Sequence, residues 1–212
     1  MSGNKTAVAF NEQNDVAWLK LVNPPANIMT STFFDELSAI VQHNIRGEKF
    51  KGLVISSEGR HFSSGADIDG LLNLSKTYKK HGSLPPFLEK NKETFRVLYA
   101  LKKPVVSIVK GICFGSGFEL ALAAKHIIAA PNCKLSFPEA SFGLMPGLGG
   151  ISRLLLRTGF ALTAELVLSQ KTLFADDALS MGIVDQIVEA NMLENSAIKH
   201  ITKLHQFTNN SY

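Results

Sequence analysis

Gly111-Ile112-Cys113-Phe114-Gly115-Ser116-Gly117-Phe118-Glu119-Leu120 is the stretch on which the fold turns. It follows Val105 to Val109, a short Val- and Ile-rich run that reads as a strand buried on both faces. The closely spaced Gly115 and Gly117 permit a tight turn and let the backbone come close to a ligand. Beyond them, Phe118 to Ala129 is apolar almost all round, which predicts a central helix. Where a strand turns directly into a helix, the first amides of the helix face outward unpaired and form an anion site. Upstream the same order occurs once more. Gly52 to Ser57 reads as a buried strand, and Gly59-Arg60-His61-Phe62-Ser63-Ser64-Gly65-Ala66-Asp67-Ile68 leads from it into a helix. Taken alone, each is an ordinary strand–loop–helix turn, and a Gly-x-Gly without its third glycine does not make a dinucleotide site. Two such junctions on neighbouring strands can converge on one oxygen, the geometry of an oxyanion hole.

Working outward, residues 6 to 10 and 16 to 22 predict an opening β-hairpin around the turn Asn11 to Asp15. From Thr30, with Thr30 or Ser31 as cap, Phe33, Phe34, Leu37, Ile40 and Val41 recur at helical spacing. Ser75 to Leu101 is helical in pattern but broken at Gly82 to Pro86, with a helix from Phe87. Lys134 to Ser136 reads as a short strand, Gly143 to Gly150 as a glycine-rich loop, 151–158, 162–169 and 175–181 as helices, and Val184 to Val188 as a last strand. Loose strand–strand–helix alternation predicts an α/β fold with helices layered on sheets. No internal repeat or linker divides the chain.

The chain has 212 residues, enough for one domain that buries roughly 70% of its unfolded surface. An apolar share of 45% and a charged share of 19% exclude wholesale disorder. The net charge is +4, but the basic residues are scattered in short pairs such as Lys79-Lys80 and Lys102-Lys103, so no nucleic-acid partner is expected. Cys113 and Cys133 lie in apolar segments and are expected to be reduced, buried thiols. With no signal-like start and no run of about 18 apolar residues, the expectation is a cytoplasmic protein without a membrane partner. The six histidines show no ligand-like pairing, so no metal or redox cofactor is expected.

Two carboxylates stand in apolar settings. Glu119 falls in the first turn of the expected central helix, where the helix dipole favours its charge while burial opposes it. Glu139 follows Pro138. A glutamate is rarely buried without a partner, so both are candidates for proton transfer, against the plainer readings of a helix-terminal charge and a loop acid.

In Phe62-Ser63-Ser64-Gly65-Ala66-Asp67-Ile68, in Lys103-Pro104-Val105-Val106, in Gly111 to Leu122, and in Pro138-Glu139 followed by Phe142-Gly143-Leu144-Met145-Pro146-Gly147-Leu148-Gly149-Gly150, the sequence resembles the crotonase (enoyl-CoA hydratase/isomerase) superfamily over about residues 7 to 188. The resemblance implies a ββα superhelix, with 1–188 as crotonase-like core and 189–212 as a short C-terminal helical tail. It implies that the amides of Ala66 and Ser116 form the oxyanion hole around a thioester carbonyl, with Ser64, Gly65, Asp67, Ile68, Gly115, Gly117 and Gly147 lining the substrate. Glu119 and Glu139 then fall at the two positions that carry glutamates in hydratases, the pair that adds water to an α,β-unsaturated acyl thioester. Coenzyme A or an acyl carrier protein enters as part of that substrate, not as a cofactor. A homotrimer or hexamer is the implied assembly.

Ser116 stands where hydratases usually carry glycine, which narrows the pocket or adds a hydroxyl near the acyl group; with Phe137 where a polar residue is common and Ile151 where threonine is common, an altered, more apolar pocket is expected. Only 24 residues follow Val188, fewer than the resemblance implies. Two other readings stay open: isomerisation or decarboxylation through the same enolate, and a non-catalytic accessory subunit.

Overall fold

The computed structural model describes residues 6–46, 50–70, 72 and 86–209. Two strands, β1 (Val8–Gln13) and β2 (Val16–Leu21), pair antiparallel around Asn14-Asp15, whose φ values of 53° and 61° make the left-handed two-residue turn that matches strand twist. The expected turn is therefore shorter than Asn11 to Asp15, and Asn11, Glu12 and Gln13 extend the strand. Helix α1 (Ser31–Ile40) opens at Thr30, whose hydroxyl accepts from Phe33 N–H at 3.3 Å, and its Phe33 and Leu37 are buried. It continues into a single π turn, Val41–Ile45.

β3 (Gly52–Ser57) and β4 (Val105–Val109) are buried throughout, as their apolar runs predict. Helix α2 (Pro86–Ala100) lies between them in sequence; the break expected at residues 82–86 falls largely outside the described residues. β5 (Ile112–Phe114), which the sequence reading does not separate from the glycine turn, precedes α3 (Ser116–Ala121). The largest departure follows. The single helix expected over Phe118 to Ala129 ends at Ala121, and His126–Ala129 forms β6. β7 (Lys134–Ser136), α4 (Gly150–Thr158), α5 (Phe160–Ser169), β8 (Leu173–Phe174), α6 (Ala175–Ser180), β9 (Gln186–Ile187) and α7 (Leu193–Asn209) complete the chain.

The strands form a six-stranded sheet, β1-β2-β3-β4-β6-β9, parallel from β2 onward, and a three-stranded sheet, β5-β7-β8. Trp18 pairs with Val54, Val54 with Val106, and Ile108 with Ile128. This alternation sends Trp18, Val54, Val106, Ile108 and Ile128 to one face, where Leu193, Ala197 and Ile201 of α7 cover them. Leu19, Leu53, Ile55, Val109 and Ile127 belong to the larger core on the other face, with Phe33, Phe95 and Phe118. No described helix is long and apolar enough to cross a membrane. Both cysteines are free and buried.

Candidate active site

The two strand–loop–helix junctions meet. Ser63 bridges Cys113, with Ser63 N–H donating to Ile112 O and Phe114 N–H to Ser63 O, both at 3.0 Å. Gly65 has φ +98°, and the Cβ it lacks would sit 3.0 Å from Phe114 O and 3.7 Å from Gly115 Cα, so only glycine lets the two backbones touch. Gly117 is equally confined: a Cβ there would lie 2.7 Å from Ser63 Cβ. On the far side, Met29 N–H donates to Gly65 O and Asp67 N–H to Met29 O, at 2.9 and 3.1 Å. The residue between, half-buried Ala66, therefore turns its own N–H away from Met29. Ser116 is the first residue of α3, so its N–H has no acceptor within the helix.

The remaining residues named from the sequence scatter around this contact. Asp67 is exposed and caps the helical turn at 68–70, accepting from Gly70 N–H at 3.3 Å, so its carboxylate serves the backbone. Ser64 is exposed and its N–H donates to Ala26 O at 2.8 Å. Ile68 is half-buried beside them. Gly147 lies farther along the chain, exposed, with Leu88 of α2 as its neighbour.

Glu139 begins the 3₁₀ turn Glu139–Phe142. Its Oε1 lies 3.1 Å from where a Gly115 Cβ would be, which puts the carboxyl against the second glycine junction. Its Oε2 is buried and has no hydrogen-bond partner among the described residues. Burial lifts its pKa to about 7. Glu119, 1% exposed on α3, accepts at Oε1 from Leu148 N–H at 2.7 Å and Gly150 N–H at 2.9 Å. Burial raises its pKa to about 7 as well; the two amides and Arg153 oppose that rise, and the nearby charge of Glu139 adds to it. Burial is the main cause in both acids, and the charge of Glu139 adds a smaller push against ionising Glu119. Phe118 and Phe137 stack beside them at 4.6 Å, and Phe137 Cζ lies 3.1 Å from the Cβ position of Gly150. Phe137 thus supplies apolar wall and no side-chain hydrogen bond.

A match to the enoyl-CoA hydratase/isomerase family spans residues 11–212. A probable enoyl-CoA hydratase of Bacillus subtilis is 32% identical over 178 residues, 84% of this chain and 67% of that protein. The chain belongs to the enoyl-CoA hydratase/isomerase family. It is 31% identical to the human peroxisomal bifunctional enzyme over 183 residues, 86% of this chain but 24% of that protein, so it spans about a quarter of that relative. A solved structure of an enoyl-CoA hydratase subunit from Geobacillus kaustophilus superposes with a TM-score of 0.79 at 28% identity, covering 94% of this chain and 75% of that one. The fold is crotonase-like.

Within that family frame, sequence reasoning missed Leu148, Gly150 and Arg153. The first two act through backbone amides, invisible as side-chain chemistry; the adjacent Gly149-Gly150 was the available signal, since glycines at a helix start mark close backbone approach. Arg153 reads in sequence as a charge on an amphipathic helix, yet it is 7% exposed.

Proposed function

We propose that the protein adds water to an α,β-unsaturated acyl thioester, a lyase activity of the enoyl-CoA hydratase type. The observation that carries the reading is a pair of glutamates, Glu119 buried and Glu139 half-buried, the latter with a buried oxygen that has no partner among the described residues, beside the contact of Gly65 with Gly115. A buried carboxylate oxygen without a donor is costly, and a water bound for reaction relieves that cost. The thioester carbonyl lies between the amides of Ala66 and Ser116, which stabilise the oxygen as negative charge develops on it. Whichever glutamate is ionised takes a proton from water as its oxygen bonds to Cβ. The other, protonated, gives its proton to Cα, so the net change is one water added and one proton exchanged between the acids. pKa values near 7 suit both roles at neutral pH. Coenzyme A is the carrier that family membership favours, with an acyl carrier protein as the other thioester source, and a homotrimer or hexamer is the expected assembly.

The test follows enoyl-thioester absorbance with a short trans-2-enoyl-CoA, then with the same acyl group on a carrier protein. Glu119→Gln and Glu139→Gln should each lower kcat by about 10²–10⁴-fold. Loss in only one variant would indicate isomerisation through a single base. No turnover and no thioester binding by the folded wild type would indicate an accessory subunit.

A further inference from the structure

Glu119 is oriented by a loop, and that loop is itself held from below. The amides of Leu148 and Gly150 converge on one oxygen of Glu119, while the carbonyl of Leu148 turns the other way and accepts from Arg153 Nη1 at 2.8 Å. The guanidinium lies flat beneath Gly149: the Cβ that glycine lacks would meet Nη1, Cζ and Nη2 at 3.1–3.2 Å. Gly149 has φ +92°, so glycine is required there both for the left-handed backbone and for the room that Arg153 occupies. Arg153 also reaches α2, its Cζ lying 5.4 Å from the Tyr99 ring centroid. Only 7% exposed, it is a cation that folding has taken out of water at considerable cost. Its placement is explained if the charge serves the site.

Resting on the reading of Glu119 as a catalytic acid/base, we propose that Arg153 is the positioning residue for Glu119: it clamps the Leu148–Gly150 peptides so that both amides hold the carboxylate in one orientation. Arg153 does not touch the reacting atoms. Its effect reaches Glu119 through the Leu148 peptide and through its charge, which favours the ionised carboxylate and so opposes the desolvation that Phe137 and the surrounding core impose. Lysine can keep the charge and one donor but not the flat guanidinium under Gly149, whereas glutamine loses the charge.

Two measurements test this in the full chain, with Glu119→Gln as reference. The first is a ¹³C NMR titration of the Glu119 carboxyl, identified by its loss in Glu119→Gln, in wild type, Arg153→Lys and Arg153→Gln. The midpoint should move upward in Arg153→Gln and stay near wild type in Arg153→Lys; an unmoved midpoint in a folded Arg153→Gln overturns the proposal. The second is enoyl-thioester hydration across pH. Arg153→Gln should lose about 10–100-fold in kcat with KM within a few-fold, as expected for a misplaced catalytic group, and Arg153→Lys should recover part of it. Full activity in Arg153→Gln, or a loss confined to KM, overturns it. If Glu119→Gln is itself fully active, the reading of Glu119 fails, while the titration still reports whether Arg153 positions and polarises that carboxyl. Should Arg153→Gln not fold, Arg153→Lys decides through kcat: a partial loss with the midpoint kept is expected, and full wild-type kcat across pH would leave the flat guanidinium clamp without effect and overturn the proposal.

Discussion

Two short hydrogen bonds are not enough to keep the Glu119 carboxylate at its ordinary pKa, because a carboxyl 1% exposed has almost no water to solvate its ionised form. Desolvation prevails, and the group titrates near 7 instead of 4.5. The folded state thus binds this proton more tightly than the unfolded chain does. For an acid whose folded pKa is raised, stability is highest below the unfolded pKa and falls as pH rises through the folded one, here from about 4.5 to about 7. A shift of that size corresponds to about 3 kcal/mol of stability forgone at pH 8. Glu119→Gln keeps an oxygen for the Leu148 and Gly150 amides and removes the buried charge. Its urea midpoint should therefore exceed that of wild type at pH 8, and the gap should narrow as pH is lowered to 5. A gap that does not depend on pH would mean that the carboxylate carries no desolvation cost. The variant that should abolish hydration is thus expected to be the more stable protein at pH 8, the pattern of a residue kept for chemistry.

At the scale of elements, what could be read in the sequence depended on how far periodicity distinguishes a strand from a helix. β3 and β4 were legible because each is a short apolar run bounded by polar or glycine residues. α1 was legible from its cap at Thr30 and its 3.6-residue spacing. The stretch Phe118 to Ala129 was not: a buried helix and a fully buried parallel strand both read as unbroken apolar sequence, and Ala121, Ala123 and Ala124 weight the reading toward helix across the true boundary. β8, two residues long, is too short to show a period, the last strand expected over Val184 to Val188 narrows to β9 within it, and the Arg153 contact depends on a loop path that no local pattern encodes. The glycine junctions, by contrast, stood out as strand–loop–helix turns and both glutamates as acids in apolar stretches, while their pairing came only from the resemblance; the fold brings Gly65, Gly115 and Glu139 into one contact region. α7 allows a test away from that region. Ile201 Cγ2 lies 2.6 Å from where a Gly52 Cβ would be, so the helix packs directly on the backbone of β3. Ile201→Ala should cost about 2–4 kcal/mol in urea unfolding. Gly52→Ala should also destabilise, and the double variant should cost less than the sum because the added methyl enters the space that the isoleucine leaves. Strict additivity would show that the two groups do not share that space.

Over the whole molecule, the residues left uncovered bear on assembly. Leu156 on α4 is 73% exposed, Phe160 and Leu168 on α5 are 79% and 67%, and Phe174 on β8 is 54%. Single exposed apolar side chains are ordinary, but large ones recur here on three consecutive elements. The helical period of α4 and α5 indicates that each has an apolar face; it does not say whether the neighbour on that face belongs to the same chain. Leu154, Leu166 and Val167 are buried inside the chain; Leu156 lies opposite Leu154 and Leu168 opposite Leu166, while Phe160, on the same side of α5 as Val167, is exposed at the start of that helix. A second copy is the occupant expected, consistent with the proposed homotrimer or hexamer, because closed symmetric assembly covers equivalent patches on every subunit. Sedimentation equilibrium should therefore return a mass that is a multiple of 23.1 kDa. Phe160→Glu combined with Leu168→Glu should shift it toward a single subunit, since burying two new carboxylates at an interface opposes association by several kcal/mol. A wild-type protein that sediments as one subunit would rule out self-assembly through these helices.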